Sequence, residues 1–260
     1  VLDTLNRLLK PHGLWFPVDV STSSRATIGG MVGNNSAGGR SIRYGIMRDN
    51  VGAIDAILST GRTARFGLLN EGSVGLESLL PGLLALGQDN SEEIEARFPK
   101  VLRRVGGYNL DALLPDTLAK RPGSIGQEND INLSHLLVGS EGTLAYSAAI
   151  ELKLSPLPAP KIMALCHFTS FYAAMDAAQY LVPLDPITVE LIDQTMISLA
   201  RSIPLFKSTV DDYIRNDPEA VLVVEFAEED WAKNLAKIDQ LQAVIAELSD
   251  AQADKPRQII

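Results

Sequence analysis

The fold of this chain is decided by the stretch Thr27-Ile28-Gly29-Gly30-Met31-Val32-Gly33-Asn34-Asn35, which a second glycine pair, Gly38-Gly39, follows. Glycine has no Cβ, so paired glycines let the main chain adopt positive φ and approach a ligand closely, with N–H groups free to point at it. Thr27 precedes the small residues and is a candidate helix N-cap, and a helix N-terminus is a favourable place for an anion. By composition alone, such a stretch favours a loop between two strands. The residue groups that precede and follow it favour another interpretation, in which its backbone forms a cradle for a large anionic cofactor.

Two sets of residue groups surround this stretch and follow it, in a fixed order. The first set is Pro17-Val18-Asp19-Val20-Ser21-Thr22, Ala26–Gly30, Asn34–Gly39 and Arg43-Tyr44-Gly45. The second set, further along the chain, is Gly107-Tyr108-Asn109-Leu110-Asp111 and Leu136–Ala145, the latter reading Leu-Leu-Val-Gly-Ser-Glu-Gly-Thr-Leu-Ala. Together they resemble the second half of the FAD-binding domain of flavin dehydrogenases of the vanillyl-alcohol-oxidase and p-cresol-methylhydroxylase type. Within this type, the sequence most resembles the branch of glycolate oxidase, D-lactate dehydrogenase and D-2-hydroxyglutarate dehydrogenase.

The resemblance implies an α+β fold and FAD as the cofactor. It implies that the ribityl and pyrophosphate parts of FAD are wrapped by Asp19, Ser21, Thr22, Thr27, Ile28, Gly29 and Gly30. The isoalloxazine would lie along Asn34, Asn35, Gly38 and Gly39. The adenosine end would be carried by Glu141, Gly142, Thr143, Leu144, Ala145 and Ser147. Backbone amides suit this task, because they neutralise a dianion without mobile charges and leave the redox chemistry to the flavin.

The sequence departs from the family pattern in four places. Val20 replaces a second proline, Ser36-Ala37 lengthens the asparagine–glycine loop by one residue, and Ala145 replaces the last glycine of its element. About twenty residues, Ala112–Asn132, separate the two later elements, which is a loop-scale insertion. The pyrophosphate loop of the first FAD subdomain, of the Arg-Gly-Gly-Gly-Thr-Ser type, has no match here. The resemblance therefore implies a fragment that lacks that first subdomain.

Composition excludes several classes of partner. The net charge of −9 and the pI near 4.9 argue against nucleic acid and against an anionic membrane surface. No run approaches the 18 apolar residues of a membrane span, so an integral membrane protein is not expected, and no signal peptide is recognisable. The one cysteine, Cys166, allows neither an internal disulfide nor a Cys-ligated iron–sulfur cluster within the chain, and its setting reads as a buried strand with an inert thiol. We expect a cytoplasmic enzyme.

The chain divides by pattern into two parts. Residues 1–155 mix short strands with glycine loops and are expected to form the second part of the FAD-binding domain. Residues 156–160 form a proline-rich hinge, and residues 161–260 are expected to form part of an α+β substrate or cap domain.

Several elements can be placed within these parts. We predict a hairpin from strands 51–59 and 63–66, a helix N-capped by Ser91 and interrupted at Pro99, a short helix over 133–138 and a strand over 143–154. Beyond the hinge, we predict strands over 162–168, 188–192 and 221–226, and a helix capped by Ser170 that runs to Leu181. A last helix from Asp230 carries a core-facing stripe, and a polar tail follows Ser249. The stripe comprises Trp231, Leu235, Ile238, Leu241, Ile245 and Leu248.

No catalytic residue can be named from the sequence. His12, His135 and His167 are isolated, without metal-ligand spacing, and structural roles are favoured for them; no metal site is predicted within the chain. The resemblance implies that metal-binding and substrate-orienting histidines lie after residue 260. Arg43 and Tyr44 are equally compatible with a contact to an anionic substrate and with a scaffold role.

The resemblance implies oxidation of a small-molecule D-2-hydroxyacid to the 2-oxoacid by hydride transfer to flavin. The electron acceptor is undetermined, and an iron–sulfur domain of the full-length protein is one candidate. Alternatives are another reaction on the same fold, such as alkylglycerone-phosphate synthesis or the reduction of UDP-N-acetylenolpyruvoylglucosamine, or a non-catalytic scaffold fragment. A nicotinamide-binding Rossmann unit is disfavoured, because the glycines do not form Gly-x-Gly-x-x-Gly.

Overall fold

The computed structural model describes residues 1–71, 74–101, 103–115 and 130–251, with only the backbone of 249–251. Within these residues the chain forms two compact units, Val1–Leu157 and Pro158–Ile260. The greater part of the 112–132 insertion and of the tail predicted after Ser249 lies outside the described residues. No helix in the described ranges is long and apolar enough to cross a membrane.

The first unit is a small antiparallel sheet with short helices around it. Its helices are α1 (Leu2–Leu9), α2 (Ile28–Asn34), α3 (Ser41–Tyr44), α4 (Leu80–Asp89), α5 (Ser91–Arg97) and α6 (Ser134–Leu137). Its strands are β1 (Leu14–Trp15), β2 (Val51–Leu58), β3 (Thr63–Phe66), β4 (Ala145–Leu152) and β5 (Ser155–Pro156). The sheet has the order β3-β2-β4, and β1 pairs separately with β5.

The predicted hairpin is confirmed by the pairing of β2 with β3, in which Ala56 faces Ala64. β2 also pairs with β4, where Ala56 faces Ser147, so β2 is the central strand, and four of its eight residues are buried. The core beneath it contains Ile54, Met31, Val32, Leu133 and Leu137. The end of α2 and the segment before β4 therefore share one core with β2.

Two local predictions in this unit need correction. The N-cap of α5 is Asn90, and Ser91 is the first helical residue, without a side-chain capping bond. Pro99 does not interrupt the helix, which ends at Arg97. Phe98 is already extended, with φ −69° and ψ 126°, because the residue before a proline is driven out of the helical region. The short helix predicted over 133–138 is confirmed as α6.

The junction between the two units lies in the proline-rich segment. Ser155 and Pro156 pair with Trp15 and Leu14, and the Leu157 N–H donates to the Gly13 carbonyl at 2.8 Å. Pro156, placed in the hinge by sequence, thus lies in β5 of the first unit.

The second unit is a three-stranded antiparallel sheet in the order β6-β8-β7, with helices on both faces. Its strands are β6 (Ile162–Phe168), β7 (Thr188–Asp193) and β8 (Ala220–Phe226). Its helices are α7 (Phe171–Leu181), α8 (Gln194–Ser202), α9 (Pro204–Tyr213) and α10 (Trp231–Ala251). The larger core lies between the sheet and α7 with α10, and a smaller one lies on the face that includes Leu165, Ile197 and Val221. The predicted Ser170 cap is confirmed, since its side chain accepts from the Ala173 N–H at 3.3 Å.

The predicted stripe of α10 is right only in its later part. Leu241 and Ile245 are buried in the core, but Trp231 and Leu235 are 55% and 46% exposed. A helix of 21 residues is about 31 Å long, whereas seven strand residues span only about 23 Å. Within the described residues, the first turns of α10 therefore carry apolar side chains at stripe spacing that are not buried in a core.

Candidate functional site

The helix α2 opens with the predicted cap. Thr27 is extended, with φ −79° and ψ 148°, and its hydroxyl accepts from the Gly30 N–H at 3.1 Å. Gly29 and Gly30 occupy helical positions where glycine is about 1 kcal/mol less favourable than alanine. Among the described residues, no atom lies within 4 Å of a Cβ built on Gly29, and a Cβ on Gly30 would meet the Thr27 Oγ1 alone, at 3.0 Å. The exposed backbone is therefore open to close approach from outside.

The end of α2 is held by Asn35. This residue is left-handed, with φ 50° and ψ 51°, and its side chain is fully buried. The amide oxygen accepts from the Arg48 N–H at 3.0 Å, and the amide nitrogen donates to the Arg104 carbonyl at 3.4 Å. The side chain of Asn35 thus joins protein segments to each other, and the neighbouring Asn34 is the one that is exposed.

The structure brings the two distant predicted segments together. The Gly139 N–H donates to the Val32 carbonyl at 2.8 Å, and the Glu141 N–H donates to the Gly33 carbonyl at 3.0 Å. We call the two segments, Thr27–Asn35 and Gly139–Thr143, the glycine cradle. Its surface is formed mainly by exposed main chain with short or polar side chains.

The second half of the glycine cradle has an unusual backbone. Gly139, Glu141 and Gly142 all have positive φ, of 82°, 52° and 75°. Such a conformation is costly for a residue with a Cβ, so Glu141 is held there by its surroundings. A Cβ on Gly142 would meet no described atom within 4 Å, while Glu141, Gly142, Thr143 and Leu144 are exposed.

Gly38 and Asp19 are locked to each other at the next predicted segment. A Cβ on Gly38 would lie 1.9 Å from the Asp19 carbonyl oxygen, so only glycine fits. The Asp19 carboxylate accepts from the Arg40 N–H at 3.1 Å, and the Gly38 carbonyl accepts from the exposed Arg103 at 3.0 Å. The group that closely approaches Gly38 is thus the Asp19 backbone of the same protein. The half-buried Asp19 side chain also binds the N–H of Arg40, the residue after Gly39.

The remaining predicted residues lie around these segments. Ser21 and Thr22 are exposed, while Ile28 is half-buried and packs on the core. Ala145 faces Leu58 and Ser147 faces Ala56 in β4. β4 begins at Ala145, so Ser147 lies within the strand and pairs there with β2, whereas Thr143 belongs to the loop of the glycine cradle.

Sequence reasoning missed two features of the site. The Tyr108 hydroxyl forms a 2.8 Å hydrogen bond with the Thr143 hydroxyl, and the Tyr108 ring is 45% exposed at the edge of the glycine cradle. The other is a buried polar cluster, which we define as Arg48, Arg104, Asn109 and Asp111. The position of Tyr108 and Asn109 in the Gly107–Asp111 motif could have indicated both.

The buried polar cluster contains two ion pairs that share the Asp111 carboxylate. Arg48 is 2% exposed and lies 3.0 Å from the Asp111 carboxylate, and it also donates to the Asn109 amide oxygen at 3.2 Å. Arg104 donates to the same amide oxygen at 3.0 Å and pairs with Asp111. The Asn109 amide nitrogen donates to the carbonyls of Val138 and His135, at 2.8 and 3.1 Å.

His12 is exposed, in the turn that follows α1, whereas the other two histidines and the cysteine are buried. His135 and His167 are buried, and the His167 Nε2 accepts from the Arg215 N–H at 3.2 Å. Cys166 is buried in β6, as predicted, and burial raises the pKa of its thiol to about 12, which disfavours the reactive thiolate. In the part of the chain that the structure describes, no three His, Cys, Asp or Glu side chains are grouped as metal ligands.

The glycine cradle fits the chemistry of FAD. A diphosphate needs N–H donors that it can approach without steric hindrance, and a planar ring needs a flat backbone surface. Gly29 and Gly142 leave such approaches open, and nothing within the described chain accounts for their lack of a side chain by packing.

Comparisons with known proteins agree with this chemistry. Residues 1–67 match the family described as FAD binding domain, and residues 157–258 match FAD linked oxidases, C-terminal domain. The chain is 33% identical to a D-2-hydroxyglutarate dehydrogenase of Pseudomonas putida, over 98% of this chain and 25% of that protein. It is 24% identical to a D-lactate dehydrogenase of Archaeoglobus fulgidus, over 88% of this chain and 38% of that protein. The chain thus spans about a quarter of the length of the D-2-hydroxyglutarate dehydrogenases it matches.

Among solved structures, an alkyldihydroxyacetonephosphate synthase is similar in fold. The TM-score is 0.58 at 14% identity, over 95% of this chain and 37% of that one. At this identity the likeness concerns the fold alone.

Proposed function

We propose, from the premise that this chain belongs to the FAD-linked oxidases, that it is part of an FAD-dependent dehydrogenase that converts a D-2-hydroxyacid to the 2-oxoacid. The observation that carries the proposal is the closure of one glycine cradle by two segments that are far apart in the sequence. The relatives matched over nearly the whole chain are D-2-hydroxyglutarate dehydrogenases, and this similarity supports the proposed substrate class.

In this proposal, residues 1–155 are the second part of the FAD-binding domain, and residues 161–260 are part of the substrate or cap domain. The glycine cradle binds FAD through its open main-chain N–H groups. FAD, when bound, supplies the hydride acceptor. The chain itself orients the cofactor: Asn34, Glu141 and Thr143 present polar side chains beside the backbone, and the Tyr108 ring borders the same surface.

The proton of the substrate hydroxyl needs a base, and the described residues offer no exposed histidine in the glycine cradle. We assign the base and any metal ligands to parts of the enzyme outside these residues. The electron acceptor, for which an iron–sulfur domain is a candidate, and a cytoplasmic location also belong to the proposal. Alkylglycerone-phosphate synthesis has support from fold alone, which does not select a reaction.

The test is anaerobic reduction of full-length protein that has been saturated with FAD. D-2-hydroxyglutarate, D-lactate and glycolate are added separately, with L-2-hydroxyglutarate as the stereochemical control, and the flavin absorption is followed. We expect bleaching by at least one D-hydroxyacid and turnover with a dye acceptor. Bleaching by NADPH alone would favour a reductase, and failure to take up FAD would favour a non-catalytic scaffold.

A further inference from the structure

The buried polar cluster of Arg48, Arg104, Asn109 and Asp111 is connected by hydrogen bonds to the segments that form both halves of the glycine cradle. Its link to the second half is Asn109, whose amide donates to the carbonyl of Val138, the residue before Gly139. Its link to the first half is Arg48, whose backbone N–H donates to the side chain of Asn35 at the end of α2. The first half is thus one hydrogen bond away from the cluster, and the second half begins at the residue after the one that Asn109 binds.

A contribution to stability is a poor reason for such a cluster. Taking two charges out of water costs nearly as much as their attraction returns, and apolar replacements of buried pairs are often as stable. What a planar guanidinium adds is geometry, because its fixed fork sets the relative position of the groups that accept from it. Here one terminal nitrogen of Arg48, Nη1, donates to the Asn109 amide oxygen at 3.2 Å and to the Asp111 carboxylate at 3.0 Å, so the fixed directions of its N–H bonds position two side chains of a different segment.

The consequence reaches the hydrogen bonds that close the glycine cradle. Gly139 and Glu141 donate to Val32 and Gly33 only while the two halves keep their spacing. Both donors lie in a stretch with three positive φ angles, which does not hold its shape by local preference. The spacing must therefore be imposed from elsewhere in the fold.

Resting on the proposed function, we propose that Arg48, Arg104, Asn109 and Asp111 are positioning residues of the FAD site. They do not touch the cofactor. They fix the Gly139–Thr143 loop against the end of α2, so that main-chain donors of both halves face one ligand.

The first experiment needs no cofactor. Hydrogen exchange is measured on the apo form of the full-length protein for wild type, Arg48→Lys and Arg104→Lys. Lysine keeps the positive charge but lacks the planar guanidinium, whose N–H donors have fixed directions. Arg65→Lys is the matched control, since Arg65 also has two carboxylate partners, Asp55 and Glu151, but at the surface of the sheet. Because disturbing a buried ion pair can unfold a domain, Arg104→Lys, 11% exposed, is the second variant beside Arg48→Lys.

We expect amide exchange in residues 139–143 to accelerate at least about tenfold in both cluster variants, with β2 and β4 unchanged. The control should show no change in 139–143. Exchange that rises equally in β2 and β4 would mean a structural role only, and exchange that stays at the wild-type rate in 139–143 would equally overturn the positioning role.

The second experiment measures FAD affinity and the apo-protein unfolding midpoint in the same variants. We expect the FAD dissociation constant to rise about 10- to 100-fold, as for other residues that orient binding groups without touching the ligand. The visible flavin spectrum of the residual complex should also change. A dissociation constant that stays at the wild-type value would overturn the proposal. If wild-type protein binds no FAD, the proposed function fails, while the exchange comparison still decides whether the cluster holds the loop.

Discussion

The backbone N–H of Gly139 donates to the carbonyl of Val32 at 2.8 Å, although the two residues lie far apart in the sequence. This bond joins the end of a short, glycine-rich helix to a loop whose backbone is left-handed at Gly139, Glu141 and Gly142. Neither segment has a regular structure long enough to be stable alone, so each depends on the other. The surface that they form together exposes main chain that the described residues leave uncovered.

Substitution of Gly29 by alanine should separate stability from cofactor binding. A Cβ at this position meets no described atom within 4 Å, so Gly29→Ala should stabilise the apo-protein by up to about 1 kcal/mol through helix propensity. If FAD approaches this backbone, its dissociation constant should rise at least about tenfold, which corresponds to about 1.4 kcal/mol. Flavin fluorescence titration and thermal unfolding measure the two effects.

The control for Gly29→Ala is Gly82→Ala in α4. Gly82 is also helical and also open to a Cβ, but it lies outside the glycine cradle. It should gain similar stability with unchanged FAD affinity. Equal FAD affinity in Gly29→Ala and wild type would contradict the inference that FAD closely approaches the backbone of Gly29.

A second matched pair uses glycines with positive φ. Gly142 and Gly61 have φ of 75° and 79°, and both are open to a Cβ. Alanine at either position should cost about 1–2 kcal/mol of folding free energy, because a Cβ disfavours the left-handed region. Only Gly142→Ala should also weaken FAD binding beyond this loss, whereas Gly61, in the turn between β2 and β3, serves as the control. Chemical denaturation of the apo-protein and FAD titration distinguish the two, and an equal effect on FAD would contradict the assignment of Gly142.

The hydrogen bond between Tyr108 and Thr143 can be tested by a double-mutant cycle. Tyr108→Phe and Thr143→Val each remove one partner of the 2.8 Å contact. We expect a coupling free energy of about 0.5–1.5 kcal/mol in FAD binding, because the second change has no bond left to break. Strictly additive effects would show that the contact does not support the cofactor site.

The buried thiol of Cys166 predicts a pH dependence of stability. Its pKa in the folded state is raised to about 12 by burial, above the ordinary value near 9.0, so the folded state retains a proton that the unfolded state loses. The contribution is fully present below pH 9 and is lost as the pH rises towards 12, by up to about 1.4 kcal/mol per pH unit. Urea denaturation from pH 8 to 11 should show a steeper decline for wild type than for Cys166→Ala. Identical slopes would contradict the burial of the thiol.

Much of the local structure was accessible from the sequence. The Thr27 and Ser170 caps, the 51–66 hairpin and the strands of the second unit were predicted and are present. Each depends on residues a few positions apart, through a capping hydroxyl, a turn glycine or an apolar alternation. Backbone hydrogen bonding over such short spans is governed by the residues themselves, and the surrounding protein needs only to permit it.

What the tertiary structure decided are contacts between remote residues. The sequence shows Gly38 as one of several glycines, and only the fold shows that Asp19 excludes any side chain there. The charges of Arg48 and Asp111 stand in different motifs, and only chain closure makes them a pair. A residue pattern records the local preferences of the backbone, whereas burial and pairing depend on which surfaces meet. Hence the sequence alone could indicate a cofactor cradle. Only the folded chain shows which residues line the cradle and which residues hold it in place through buried contacts.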